Sequence, residues 1–103
     1  MSLKELVNKK MELENKLEEE YGVLHTWYSF AQEKINVTIY GVDNFIKGVS
    51  QGSVSVKEID DEVYSYQAIY QIDDMAVTIY LKRSELEDFV ERGKENGLTI
   101  KFE

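Results

Sequence analysis

The side chains able to do chemistry are few in this chain and lie far apart. His25 is the one histidine and there is no cysteine, so a metal site would need carboxylates gathered around His25 from distant segments, and thiolate or disulfide chemistry is excluded. Serine, histidine and aspartate are all present, but no Gly-x-Ser-x-Gly elbow or glycine-rich oxyanion loop accompanies them. Asp60-Asp61-Glu62 and Asp73-Asp74 lack the alternating spacing that wraps ligands around calcium and read as solvated turns. Phosphate loops and dinucleotide fingerprints are absent. The chain is therefore expected to be no enzyme and to use no cofactor or metal.

Two groups of residues stand above that background. One is acidic: Glu87, Glu91 and Glu95 recur at four-residue spacing beside Asp88, and Asp73-Asp74 adds two further acids upstream. On a helix this spacing stacks the three glutamates on one face, where like charges repel at a cost of a few tenths of a kcal/mol per pair. The other is aromatic: His25 and Trp27 fall on one side of a strand, and Tyr40 and Tyr80 occupy equivalent positions at the ends of two others.

Charge placement favours the acidic group. The net charge is −8, and residues 1–22, 23–57 and 58–103 contribute −2, +1 and −7. This argues against direct binding of nucleic acid or of an anionic membrane, both of which need a cationic surface. The expected function is that of a small, non-catalytic interaction protein whose acidic C-terminal half docks on a basic surface of a protein partner. An inhibitor or nucleic-acid mimic of the kind mobile elements encode would fit. The alternative is a small-ligand or self-association module built on the aromatic face of His25, Trp27, Tyr40 and Tyr80.

The elements that would position these groups are legible from periodicity. Ser2 and Glu5 form a capping box ahead of Leu3, Leu6, Val7, Leu13, Leu17 and Tyr21, which share one arc at 100° per residue, and Gly22 suits the C-terminal cap. A helix over 3–21 is expected, docked on the core, with Lys10 in the middle of the arc extending to solvent or an acid. The 3-6-10-13-17 spacing would also serve as a homodimer seam, although it spans fewer than three heptads.

Val-Thr-Ile-Tyr occurs at 37–40 and again at 77–80, and the similarity extends outward at a forty-residue offset. Val23 matches Val63, Phe30 matches Tyr70, and Phe45-Ile46 matches Phe89-Val90 after an insertion. Two β-β-α-β units, 23–57 and 63–103, are thus expected. Their hairpins should superpose with Phe30, Ile39, Tyr70 and Ile79 all buried. Leu24, Thr26, Tyr28 and Phe30 form the expected core face of the first strand, matched by Tyr64, Tyr66, Ala68 and Tyr70 in the second unit. Ser84 and Glu87 form a second capping box, and Leu86, Phe89, Val90 and Gly93 the buried stripe of the helix that follows.

With 103 residues, no proline and no low-complexity linker, the chain reads as a single α+β domain with a largely antiparallel sheet. No basic leader precedes an apolar run and no segment approaches the ~20 apolar residues of a membrane helix, so a soluble, unprocessed, cytoplasmic protein is expected.

Overall fold

The computed structural model describes residues 1–49 and 51–103. The elements follow the order α1 (Leu3–Tyr21), β1 (Val23–Ser29), β2 (Lys34–Ile39), α2 (Val42–Gly48), β3 (Gly52–Glu58), β4 (Tyr66–Ile72), β5 (Met75–Leu81), α3 (Leu86–Glu95) and β6 (Leu98–Phe102). Together they form an α+β fold with one six-stranded sheet in the order β1-β2-β5-β4-β3-β6. The hairpins β1/β2 and β4/β5 and the pair β3/β4 are antiparallel, whereas β2/β5 and β3/β6 are parallel. The sheet is therefore mixed. Two β-α-β crossovers impose this, since a strand that returns through a helix arrives parallel to the one it left.

These crossovers carry the internal repeat. β2-α2-β3 and β5-α3-β6 lie one strand apart, so Val37 pairs with Val77, Ile39 with Ile79 and Val54 with Ile100. Their helices meet over one face of the sheet, with the Phe45 and Phe89 rings 5.4 Å apart and tilted by 56°. Both rings are fully buried, as are Val54, Val56, Ala68, Ile79 and Leu81 beneath them.

The hairpins do not repeat. Val77 faces Tyr70, but its counterpart Val37 faces Thr26, a register four residues away from the forty-residue correspondence. Phe30, expected in the core beside Tyr70, instead falls in the β1–β2 turn, 86 % exposed, with its ring edge-on to Tyr28 at 4.9 Å. The longer first turn causes this displacement: Ser29 pairs with Lys34, whereas Ile72 pairs with Met75 across the two-residue Asp73-Asp74 turn. A bulge between Val23 and His25 then turns Val23, rather than Leu24, toward Ile39, and Leu24 is exposed. Tyr64 also leaves its expected place on the core face and meets Tyr80 on the other side, with ring centroids 5.9 Å apart.

The helix ends differ in their caps. Ser2 Oγ accepts the Glu5 N–H at 3.2 Å, as expected of a capping serine. At α3, a 3-10 turn over Arg83–Glu85 precedes the helix, and the Glu85 carboxylate accepts the Lys82 N–H at 2.8 Å, a role expected of the Ser84/Glu87 pair. Phe89 and Gly93 of the expected stripe are buried, and a Cβ on Gly93 would lie 2.7 Å from Ile100 Cδ1, so the glycine sets the approach of α3 to β6.

α1 departs most from expectation, because it contains no buried residue. Leu3, Leu6, Val7, Leu13, Leu17 and Tyr21 are all exposed, and the helix packs mainly against β1 and α2 near its C-terminal end. A helix of 19 residues spans about 28 Å, which accounts for much of the 47 Å long axis of the molecule. Lys10 behaves as expected for a charge within an apolar arc, reaching solvent with its ammonium 3.6 Å from Glu14. No helix among the described residues is long and apolar enough to cross a membrane.

Candidate functional site

α3 lies over the β6 edge of the sheet, and packing of Phe89 and Gly93 turns its acids outward. Glu87, Asp88, Glu91 and Glu95 are all exposed. They are not equivalent. Asp88 lies 3.6 Å from the Arg92 guanidinium, which also pairs with Asp43 of α2 and so ties the two helices together. Glu87 and Glu91 instead border a shallow groove of about 540 Å³, formed with Leu86, Val90 and Phe102 and with Arg83 and Lys94 at its margins. Phe102 is 59 % exposed there. The site therefore combines unpaired carboxylates with an apolar floor, and Phe102 is a member that charge spacing alone missed. Its alternation with Leu98 and Ile100 places it on the helix-bearing face, which was the available signal.

Asp73 and Asp74 stand elsewhere, on the β4–β5 turn, where the Asp74 carbonyl accepts the Ile35 N–H at 2.7 Å and helps join β5 to β2. Asp73 takes a positive φ of 50°, which aspartate tolerates in a tight turn. These acids lie outside the groove beside α3.

The opposite face of the sheet carries the aromatic group; among the described residues α1 reaches only its edge, where Glu14 and Glu18 border a hollow with Leu24 and His25. Trp27 is half exposed across from Asn36, and His25 lies across from Thr38. Tyr40 and Tyr80 come together at the other end of that face, joined by Tyr64 and Leu24 around a hollow of about 220 Å³. The structure thus splits the aromatic group into Tyr40/Tyr80 and His25/Trp27. Gln67 Nε2 donates to the Tyr80 hydroxyl at 3.3 Å. The strand residues on this face include Lys34, Lys57 and Lys101 but no aspartate or glutamate.

Among the described residues, no three histidines or acids converge on a point that could hold a metal ion, and no polar side chain is buried. Asp61 is the one carboxylate with a resolved shift. Its side chain accepts the Tyr64 and Val63 N–H groups, both at 3.0 Å, and these bonds hold the carboxyl below its usual range. Because the folded pKa is depressed, the contribution of this turn is present above the unfolded pKa and lost as pH falls through the folded one. In an NMR pH titration the Val63 and Tyr64 amide shifts should move with a midpoint below the ~3.9 of a free aspartate. Asp61→Asn should remove that titration while retaining an acceptor. A midpoint at the ordinary value would show that the carboxylate bonds do not form.

Neither protein-family models nor characterised proteins nor solved structures match the chain.

Proposed function

We propose that the protein is a non-catalytic interaction protein that docks the α3/β6 groove on a basic surface of a protein partner. The observation that carries this reading is the pairing of Glu87 and Glu91 with an apolar floor of half-buried Leu86 and Val90 and exposed Phe102. Acids alone would serve solubility, whereas acids rimming a partly exposed apolar floor provide steering together with something to bury. The glutamates repel one another in the free protein, so a cationic partner relieves an existing cost as well as supplying attraction. An inhibitor or a mimic of nucleic acid would use such a surface.

The test is capture of partner from lysate of the source cell, with identification by mass spectrometry. Glu87→Lys, Glu91→Lys and Glu95→Lys together should abolish capture without altering the circular dichroism spectrum, since Phe89 and Gly93 are untouched. Glu33→Lys, Asp60→Lys and Glu62→Lys remove as many exposed acids from loops and form the control. Equal capture by both triple variants, or equal loss, would mean that α3 is not the docking surface. Binding to the identified partner should also weaken steeply between low and physiological salt.

A second reading is kept by the uncovered hollow of Tyr40, Tyr64 and Tyr80, which has the aromatic walls that a small ligand stacks on. It requires salt-insensitive binding that Tyr80→Ala removes.

A further inference from the structure

We infer that α1 is the interface of a homodimer in which the helices of two copies pack antiparallel, each N-terminus reaching the open groove at the base of its partner's helix. This goes beyond the α3 reading and does not depend on it.

Among the described residues, little covers the apolar side chains of α1 before its last turn, where Leu17 and Tyr21 approach β1 and α2. Leu3, Leu6 and Leu13 are 79 %, 53 % and 60 % exposed, and no residue of the helix is buried. Such a stripe has no function on an isolated helix, since amphipathic helices owe most of their stability to packing. With Val7, Leu17 and Tyr21, the stripe exposes on the order of 600 Å², approaching the ~800 Å² that each partner contributes to a standard interface. At its C-terminal end it continues into a groove of about 330 Å³ lined by Leu17, Tyr21, Ile35, Val37, Met75 and Val77. This groove lies on the core face of the sheet, beyond the cover given by α2 and α3. It would complete the buried area.

Charge selects the occupant and its direction. From Leu3 to Lys10 the helix carries Lys4, Lys9 and Lys10 against Glu5, and from Met11 to Tyr21 it carries Glu12, Glu14, Glu18, Glu19 and Glu20 against Lys16. The two halves are +2 and −4. This order opposes the helix dipole, which favours acids at the first turn and bases at the last, and α1 has no base in its last turn. An antiparallel second copy sets each basic half against an acidic half and places the two dipoles antiparallel, each positive end beside a negative one. A parallel copy would stack like on like. The antiparallel arrangement also delivers Met1 and Leu3 to the partner's groove, giving a closed two-fold assembly. Lys10 lies mid-seam, where it tunes the affinity of the pair.

The full chain should run on size-exclusion chromatography with light scattering at twice its 12.0 kDa mass. Leu6→Glu with Leu13→Glu should return it to 12.0 kDa with an unchanged circular dichroism spectrum of the sheet, because neither side chain supports the core. Lys4→Glu, Lys9→Glu and Lys10→Glu should weaken the dimer at least about tenfold, and adding Glu12→Lys, Glu18→Lys and Glu19→Lys should restore it. Lys10→Leu should tighten it. The chain lacks cysteine, so single substitutions report direction. Lys10→Cys, near the seam centre, should form a disulfide-linked dimer under mild oxidation, whereas Leu3→Cys residues would stand about 25 Å apart and should not. Equal cross-linking at both positions would overturn the antiparallel arrangement. A wild-type chain that stays at 12.0 kDa up to millimolar concentration would overturn the dimer.

Discussion

Phe89→Ala is expected to destabilise the protein by about 3–5 kcal/mol, the range for deleting a fully buried phenylalanine side chain. Against a total of about 5–15 kcal/mol, this is enough to bring the domain close to unfolding at physiological temperature. Both the ring's own burial and the space it would leave contribute, since the Phe45 ring 5.4 Å away and Gly93 one turn along the helix are held by the packing of α3 on the sheet. Denaturant midpoints measure the cost, and a thermal scan should show a fall of roughly 15–30 °C at the usual few degrees per kcal/mol. Phe45→Ala should be of similar size, and the double variant should lose less than the sum, because the tilted ring pair contributes coupling of its own. Phe30→Ala provides the contrast: at 86 % exposure it should change stability by less than about 0.5 kcal/mol. A Phe89→Ala cost below 1 kcal/mol would mean that the two helices do not share one core.

Gly22→Val is expected to cost about 2–4 kcal/mol and to change how α1 leaves the domain. Gly22 takes φ 66° and ψ 29°, a left-handed conformation that costs a β-branched residue about 1–2 kcal/mol or more. Space is also lacking, since a Cβ there would lie 2.2 Å from Asn44 Nδ2, 2.7 Å from its Cγ and 3.0 Å from its Cβ. The whole Asn44 side chain would have to move, and it would lose its 2.9 Å donation to the Tyr40 carbonyl, worth ~1 kcal/mol. Gly22 closes α1 by donating its N–H to the Glu18 carbonyl at 2.8 Å, and its own carbonyl accepts the Tyr40 N–H at 3.0 Å. One glycine therefore couples the helix to the end of β2. Urea denaturation gives the energy, and Gly22→Asn, which tolerates the left-handed region, should recover part of it although Asn44 must still shift. Equal stability of wild type and Gly22→Val would show that α1 is not anchored there.

What the sequence determined by itself was local. Capping by Ser2 and Gly22, the 3.6-residue period of α1 and α3 and the two-residue period of the strands depend on neighbours in the chain, and these elements formed, with α3 led in by Glu85 rather than Ser84/Glu87 and with β1 and β4 confined to Val23–Ser29 and Tyr66–Ile72. Recurrence of Val-Thr-Ile-Tyr was informative for the same reason: identical short strands feeding crossover helices can lie side by side in register, as Val37 with Val77 and Ile39 with Ile79 do. The outward face of α3 was legible too, because Phe89 and Gly93 had to turn inward.

Tertiary structure decided what each face meets. Phe30 reads as core by correspondence with Tyr70, but the longer first turn moves the β1 register by four residues and carries it to the tip. Parallel pairing in the sheet follows from where the crossovers land, which no single strand encodes. Phe102 joined Glu87 and Glu91 because β6 runs beneath α3 at the sheet edge. The apolar arc of α1 illustrates the difference most clearly. Periodicity establishes that such a stripe exists, but whether it is covered depends on where Gly22 aims the helix, and Gly22 aims it away from the core.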